Sequence, residues 1–569
     1  MYLRVTERRN RDGCTLAYYA LAENVWNATA KRSEAEVVHN FGRADQIDKA
    51  ALQRLVASIN RVIDADAAAA LPTRGKTAMP EIDIDAVFEL GVVLVVRGLW
   101  EQLGIGEAIR TRLARAELTA AHEMALFAMA AHRLDAPDAK LGCATRWLPD
   151  IAWLAEAGKL AVDQLYRALD FLAVCSEAIE RDVFRRGADL LRLDVDLIFY
   201  DTTTAYFEID APDQHAELWR GRLFAPLRQR GHGKEGRDAD PQVIIAMAVT
   251  RDGMPVRSWV LAGNTADVAT VARIKQDLHA WRLGRCRFVG DAGMYSADNL
   301  AELSRGLGRY VLAVPMRRVG EVEAEVLTRP GRYRKVADNL ELKQVWVGDG
   351  ERRKRYGLCF HPAEAERQRR HRAEVLAELQ AELSLLAQRD EHHPKAACTL
   401  MASRRWGRYL SPDWRGRPKL DAAKVKAAEK FDGKWAVITN DETLSAEDVA
   451  VACKAGAIIE SCFRRMKQSG LEVRPMLHWM ARRIEAHVKL CVLALQVQRA
   501  AEIRTGLPWA RIAQALGALK AVRYCSESRT IVQRTKIGGE LADVLKKLGI
   551  PIPKQLLAVT EAAKTPAAA

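Results

Sequence analysis

The chain has 569 residues, of which 49% are hydrophobic and 28% are charged. This composition is typical of a globular protein with roughly two to four domains and excludes a fibrous or low-complexity chain. Lysine and arginine exceed aspartate and glutamate by 14, so the surface favours a polyanionic partner. The ten cysteines form no Cys-x-x-Cys pair, and no apolar segment has the length and low charge of a membrane span or signal. We therefore expect a cytoplasmic protein that does not contact a membrane.

The first 190 residues change from a β pattern to a helical pattern. Residues 1–40 read as short strands with a turn at Asp12-Gly13, and residues 46–63 read as an amphipathic helix. A linker containing Pro72 and Pro80 completes the first segment, 1–83. Residues 84–190 are rich in alanine and leucine and predict a helical domain. A packed bundle and a surface for DNA binding or dimerisation both fit this domain.

A series of strands and helices begins at residue 191 and extends to residue 315. The predicted strands are 193–201, 243–250, 256–262, 287–290 and 310–314, and the predicted helices are 266–283 and 298–306. This series follows the RNase H-like order, which is three hairpin-linked strands, then a helix, a strand, a helix and a strand. Asp201 and Asp291 each end an apolar run in this series.

The remaining chain divides into a charged insertion, 316–430, the second part of the core, 431–503, and a tail, 504–569, that we expect to be frayed. The insertion contains β-like segments at 340–347 and 355–360 and a polar helix at 363–388. We predict an α/β (α+β) fold: an RNase H-like mixed sheet flanked by helices. The predicted fold also includes a helical N-terminal domain and a β-containing insertion before the helix of Glu460.

Asp201, Asp291 and Glu460 are the candidate catalytic and metal-binding residues. Phosphodiester chemistry needs an activated oxygen nucleophile and a stabilised leaving oxygen, and two divalent ions flanked by carboxylates provide both. Oxygen ligands of this kind suit Mg²⁺, for which Mn²⁺ can substitute. A single aspartate at a strand end is usually a turn or cap residue, so only the three together indicate two ions at one site.

Cationic side chains accompany these carboxylates and are candidate DNA contacts. Positions i, i+4 and i+7 share one helix face, so Arg464 and Lys467 lie on the face of Glu460, with Arg465 beside them. The other candidates are His232, Lys234 and Arg237 in a basic loop and Arg474 farther along the chain. A solvated loop is the alternative interpretation of 228–237.

The chain resembles the DDE transposases of bacterial insertion sequences, within the family-four group with its Y-(2)-R-(3)-E-(6)-K signature. The resemblance extends over about residues 1–503 and is strongest at 193–295 and 431–495. The matching segments are Tyr200 to Thr204, Gly231 to Arg237, Gly263 to Asp267, Gly290 to Gly293, Phe431 to Gly433, Thr439-Asn440, Glu460 to Lys467, Arg474-Pro475 with His478, and Arg483-Ile484 through His487.

The resemblance implies an RNase H-like catalytic domain, Mg²⁺-dependent cleavage at element ends and strand transfer into target DNA. It also implies double-stranded DNA partners, namely terminal inverted repeats and target DNA, a homodimer on DNA, and a location at the bacterial nucleoid. The chain departs from the signature, because Cys453 and Gly456 stand where the family has tyrosine and arginine. From the residues alone, two alternatives stay open: a metal-dependent nuclease without strand transfer, and an inactive DNA-binding relative.

Overall fold

The protein is described here from a computed structural model that covers residues 1–9, 15–27, 32–48, 50–52, 55–56, 83–157, 160–234, 236–283, 285–350, 353–388, 394–453, 455–468, 470–525 and 529–561. The chain divides into a small unit, Met1–Glu81, and a large unit, Ile82–Ala569. The predicted Asp12-Gly13 turn, most of the helix predicted at 46–63 and the linker with Pro72 and Pro80 lie outside the described residues.

The small unit is a three-stranded antiparallel sheet, as the sequence predicts for residues 1–40. Its strands are β1 (Tyr2–Arg9), β2 (Thr15–Asn27) and β3 (Arg32–Arg43), in the spatial order β1-β2-β3. The central strand β2 has a partner on each side, so its first half is more buried than β1, which is exposed along its whole length.

The large unit begins with a strand and a helical block. The elements are β4 (Asp83–Glu89), α1 (Gly91–Gln102), α2 (Ile105–Arg115), α3 (Ala121–Asp135) and α4 (Val162–Leu191). The helical pattern predicted from residue 84 is therefore wrong over its first residues. Gly91 starts α1 against the backbone of Leu516, where an added Cβ would lie 2.1 Å from the carbonyl oxygen. The glycine permits this close approach.

The central sheet and its first helices follow. The elements are β5 (Leu197–Tyr206), β6 (Glu217–Trp219), β7 (Arg222–Phe224), β8 (Gln242–Thr250), β9 (Pro255–Ala262), α5 (Asp267–Ala280), β10 (Arg287–Gly290), α6 (Ala297–Ser304) and β11 (Arg309–Val314). Five of the strands lie in the order β11-β10-β5-β8-β9. Strands β5, β8 and β9 are antiparallel, whereas β10 is parallel to β5 and β11 is parallel to β10. The predicted RNase H-like order is confirmed.

The insertion extends the same sheet. Its elements and the strand after it are β12 (Arg334–Ala337), β13 (Leu340–Val347), β14 (Lys354–Phe360), α7 (Pro362–Ala387), α8 (Pro394–Ala402), β15 (Leu410–Pro412), β16 (Pro418–Leu420), α9 (Ala422–Glu429) and β17 (Lys434–Thr439). Strands β12 to β14 pair onward from β17 and complete a nine-stranded sheet. The helices and the β15–β16 hairpin have a small core of their own around Leu379 and Leu410.

The second part of the core and the C-terminal region complete the large unit. The elements are α10 (Ala446–Cys453), α11 (Ala455–Lys467), α12 (Ala481–Thr505), α13 (Trp509–Leu516), β18 (Lys520–Cys525), β19 (Arg529–Arg534), α14 (Gly539–Leu548) and β20 (Leu556–Glu561). The expectation of a frayed tail is wrong up to residue 561. Strand β18 pairs with β4 in the sheet β20-β19-β18-β4, and α14 buries an apolar face that includes Leu541 and Leu545.

Helix α12 is buried on nearly every side and packs against α4, α3 and β9. Its buried charges are paired: Lys489 Nζ lies 2.8 Å from Glu180 Oε2, and Arg482 Nε lies 2.8 Å from Asp170 Oδ1. The attraction within each pair offsets part of the free-energy cost of removing these charges from water. No helix within the described part of the chain is both long and apolar enough to cross a membrane.

Candidate active site

Parallel pairing of β5 and β10 brings Asp201 and Asp291 to neighbouring positions. Gly290 is the register partner of Tyr200; Asp201 follows Tyr200 within β5, and Asp291 follows Gly290 directly after β10. Side chains alternate along a strand, so Asp201 faces the side of Phe199 and Asp291 the side of Val289. The sequence predicts that this strand ends at Asp201, and that prediction is wrong. Strand β5 continues to Tyr206 because it stays paired with β8.

Both carboxyl groups are removed from water. Burial raises the pKa of Asp201 to about 6; Lys234 acts against this shift and Asp291 adds to it. Burial also raises the pKa of Asp291, where Lys234 again opposes the shift and the charge of Asp267 adds to it. Two desolvated carboxylates beside each other are costly to ionise, and a nearby cation lowers that cost.

Asp267 is a third carboxylate at this site, and the sequence analysis gave it no role. It is the first residue of α5, and its Oδ1 accepts a hydrogen bond of 2.6 Å from the hydroxyl of Thr202. A Cβ added to Gly293 would lie 3.4 Å from Asp267 Oδ2 and 3.3 Å from Asp291 Oδ1, so both carboxylates border the same glycine. The matching segment Gly263 to Asp267 was the one signal of its importance.

Lys234 connects these carboxylates. Its ammonium donates to the carbonyl oxygen of Thr202 at 2.7 Å and lies 3.3 Å from Asp201 Oδ1 and 3.6 Å from Asp267 Oδ2. These carboxylates raise the pKa of Lys234 against the opposing effect of burial, so the lysine is cationic. The loop residue predicted to contact DNA is thus held at the carboxylate cluster.

Glu460 lies on α11, which packs against β5, β8 and β10. The apolar face of the helix, including Ile459, Cys462 and Phe463, belongs to the core cluster that contains Phe199 and Val289. This is the side of the sheet that Asp201 and Asp291 face. Glu460 itself is exposed. Within the described residues, no group of three acidic, histidine or cysteine side chains is arranged to hold a metal ion.

Three of the candidate DNA contacts meet around Tyr206, at the end of β5. A cavity of about 640 Å³ is lined by Tyr206, Lys467 and Arg474, with Trp479 at its wall. The guanidinium carbons of Arg237 and Arg474 lie 4.2 and 4.9 Å from the centre of the Tyr206 ring. The cavity therefore combines aromatic surface with positive charge.

The other candidate cations have different surroundings. Arg464 is exposed on the face of Glu460. Arg465 donates to Ser461 and pairs with Glu502 of α12 at 3.2 Å, which turns it towards the helical core. His232 is 91% exposed, and its Nδ1 lies 3.6 Å from Asp238 Oδ2. At Gly456, where the signature has arginine, an added Cβ would have only Glu460 Oε1 within 4 Å, at 3.8 Å.

The donor chemistry of the carboxylate cluster suits a hard divalent cation, although its arrangement in the described residues is not that of a formed metal site. It brings together the carboxylates of Asp201, Asp267 and Asp291, and the charge of Lys234 balances only one of them when all are ionised. Oxygen ligands with excess negative charge are the preferred surroundings of Mg²⁺ and Mn²⁺. The chemistry of the donor set therefore agrees with a metal centre.

Comparison with known proteins identifies the family of the chain. Residues 3–69 match the family model of the IS1634 family transposase N-terminal domain, and residues 224–496 match that of the transposase DDE domain. No curated protein matches the chain. The second match includes Asp267, Asp291 and Glu460 and begins after Asp201. The chain therefore belongs to the DDE transposases of insertion sequences, whose RNase H-like domain is a metal-dependent polynucleotidyl transferase and endonuclease acting on DNA.

Proposed function

We propose that Asp201, Asp291 and Glu460 bind the metal ions with which this transposase cuts DNA at the element ends and joins the cut strand to target DNA. The observation that supports this most is the neighbouring position of two desolvated aspartates whose ionised forms a nearby cation stabilises. Glu460 completes the set, because its helix packs on the strands of both aspartates.

We assign two Mg²⁺ ions to the site, with Mn²⁺ as a substitute. Bound there, they would supply positive charge to the attacking and leaving oxygens of the phosphodiester. In cleavage, a water oxygen bonds to phosphorus and the bond to the departing 3′ oxygen breaks. In strand transfer, that 3′ hydroxyl attacks a target phosphodiester and a second P–O bond breaks. Asp201, Asp291 and Glu460 would hold the ions in both steps.

The basic residues supply the DNA contacts. Lys467, Arg474 and Arg237 surround Tyr206 on the strand that also contains Asp201, so a duplex bound over this surface would present its backbone to the carboxylates. Arg464 extends the same helix face, and His232, exposed beside Lys234, extends the loop. Arg465 supports the surface through its ion pair with Glu502.

The substrates are the terminal inverted repeats of the element and a double-stranded target. We assign a homodimer on DNA, because two element ends must be processed together. We also assign a cytoplasmic location at the nucleoid, where the DNA substrate is found. The excess of 14 positive charges favours association with DNA at both steps.

The direct test uses a supercoiled plasmid bearing both element ends and a separate target plasmid. We expect the wild type in Mg²⁺ to nick at the ends and to form joined products. Asp291→Ala should abolish both activities and leave end binding intact or tighter, because it removes a metal ligand and a negative charge. Asp298→Ala, at an exposed acidic residue seven positions later in the chain (298 − 291), is the matched control. Nicking by Asp291→Ala would contradict the assignment, and nicking without joining by the wild type would reduce the function to a nuclease.

A further inference from the structure

The ammonium of Lys234 lies where a divalent ion bound to Asp201 would also be attracted. It is 3.3 Å from Asp201 Oδ1 and donates a hydrogen bond of 2.7 Å to the Thr202 carbonyl oxygen. An ammonium and a metal ion on the same carboxylate repel each other, more strongly in a partly buried site than in water. The lysine and the metal therefore compete for Asp201.

Asp267 offers Lys234 a second partner. Its Oδ2 is 3.6 Å from the ammonium, and its Oδ1 is fixed by the Thr202 hydroxyl at 2.6 Å. The carboxylate is also the first residue of α5, a position that stabilises negative charge. Asp267 is thus a fixed anion beside a flexible cation, because the lysine side chain has four rotatable methylene groups and is 37% exposed.

We infer that Lys234 is a displaceable cation of the catalytic centre and that Asp267 is the positioning residue that retains it. When metal ions bind Asp201, the ammonium leaves that carboxylate, stays paired with Asp267 and is held at the edge of the site, where it meets the DNA phosphate. This inference rests on the proposed function, which assigns the metal ligands. It adds that metal binding itself places a phosphate-binding cation.

The test is a double-mutant cycle read out by Mn²⁺ binding to the full-length, DNA-free protein in calorimetry. Lys234→Met removes the competitor and should tighten Mn²⁺ binding by about threefold or more. Asp267→Asn keeps an oxygen that accepts from Thr202 but leaves Lys234 with Asp201 alone, so it should weaken binding by about threefold or more. In the Lys234→Met background, Asp267→Asn should have less than about half that effect on the logarithm of the affinity.

Lys354→Met is the matched control, because Lys354 is likewise a carboxylate-paired lysine, 2.7 Å from Glu321, and has a similar exposed fraction. It should leave Mn²⁺ affinity unchanged. Unchanged affinity in Lys234→Met would overturn the competition. Equal weakening by Asp267→Asn in both backgrounds would make Asp267 a metal ligand and overturn its positioning role.

A readout with DNA separates this inference from a merely structural role. Lys234→Met should raise the KM for end DNA while Mn²⁺ affinity rises, whereas a misfolded variant would lose both. Circular dichroism of each variant checks the fold. Absence of Mn²⁺ binding by the wild type would overturn the proposed metal site together with this inference, whereas wild-type binding that Lys234→Met leaves unchanged would overturn the inference alone.

Discussion

Asp291 helps to raise the pKa of Asp201, because the two residues follow the paired positions Gly290 and Tyr200 of adjacent parallel strands. The proximity of these like charges is costly without a cation. The same relationship therefore has consequences for stability, for metal binding and for DNA cleavage, and each can be measured separately.

Asp201→Asn should stabilise the metal-free protein at pH 8. The folded-state pKa of Asp201 is about 6, against 3.8 for the ordinary carboxyl group, so wild-type stability falls as pH rises from about 4 to 6 and stays lower above that range. The neutral amide avoids this loss, which amounts to about 3 kcal/mol. Urea unfolding at pH 8 in a chelator should show the gain, and at pH 4 the gain should vanish.

Without metal at pH 8, Asp201→Asn should be more stable than the wild type; added Mg²⁺ should make the wild type the more stable of the two. It binds the folded wild type and raises its free energy of unfolding, whereas the Asp201→Asn variant has lost a ligand and gains little. Asp298→Asn is the control and should follow the wild type with and without the ion. Equal stabilisation of the wild type and Asp201→Asn by Mg²⁺ would place the ion elsewhere.

Two buried histidines should make the protein sensitive to acid. Burial lowers the pKa of His132 and of His478 to about 3, in both cases with help from nearby cations. Their stability contribution is complete above pH 6.5, the ordinary pKa of histidine. It is lost as pH falls, because the unfolded state takes up protons first. Between pH 6.5 and 5 the loss should be about 2 kcal/mol for each histidine.

His478→Gln should remove the contribution of one histidine to the pH dependence of the free energy of unfolding, even if the variant is less stable at every pH. Urea unfolding of both proteins across pH 5 to 7 measures the slopes. Equal slopes would mean that His478 is protonated in the folded protein or already neutral in the unfolded one.

Lys467→Ala should weaken binding to element-end DNA and reduce the slope of log K against log salt by roughly 0.7–0.9, the value for one phosphate contact. The Lys467→Ala/Arg464→Ala double variant should lose more than the single one. Arg465→Ala is the matched variant on the same helix: its ion pair with Glu502 predicts reduced stability and an unchanged salt slope. Fluorescence anisotropy across a salt series measures the slopes. An unchanged slope in the double variant would remove this helix face from the DNA surface.

Local patterns predicted the catalytic core well. Apolar runs ending near Asp201 and Asp291 indicated two strands, and the spacing of Glu460, Arg464 and Lys467 indicated one helix face. Those features depend on side-chain periodicity, which the sequence contains directly. The strand predicted at 340–347 has the bounds of β13, because Asn339 and Gly348, both with positive φ, delimit it on either side.

Pairing between strands that are distant in the sequence could not be predicted from these local patterns. The pairing of β4 with β18 joins residues more than four hundred positions apart, so neither the strand at 83–89 nor the folded C-terminal region was recognised. Asp267 was missed for a similar reason: a carboxylate at a helix start usually caps the helix, and only the approach of Lys234 and Thr202 shows its setting. The ion pair that turns Arg465 inward also depends on a partner, Glu502, from another helix.

The central claim, that Asp201, Asp291 and Glu460 bind the same metal centre, is tested most directly by replacing Mg²⁺ with Fe²⁺ and generating hydroxyl radicals with ascorbate and peroxide. Radicals formed at the bound ion cut the nearby backbone, and the fragments identify the segments around it. The account predicts cuts near 201, near 291 and near 460 in the wild type bound to end DNA, all suppressed by excess Mg²⁺ and by Asp291→Ala. Cuts near 201, 267 and 291 without any near 460 would contradict it.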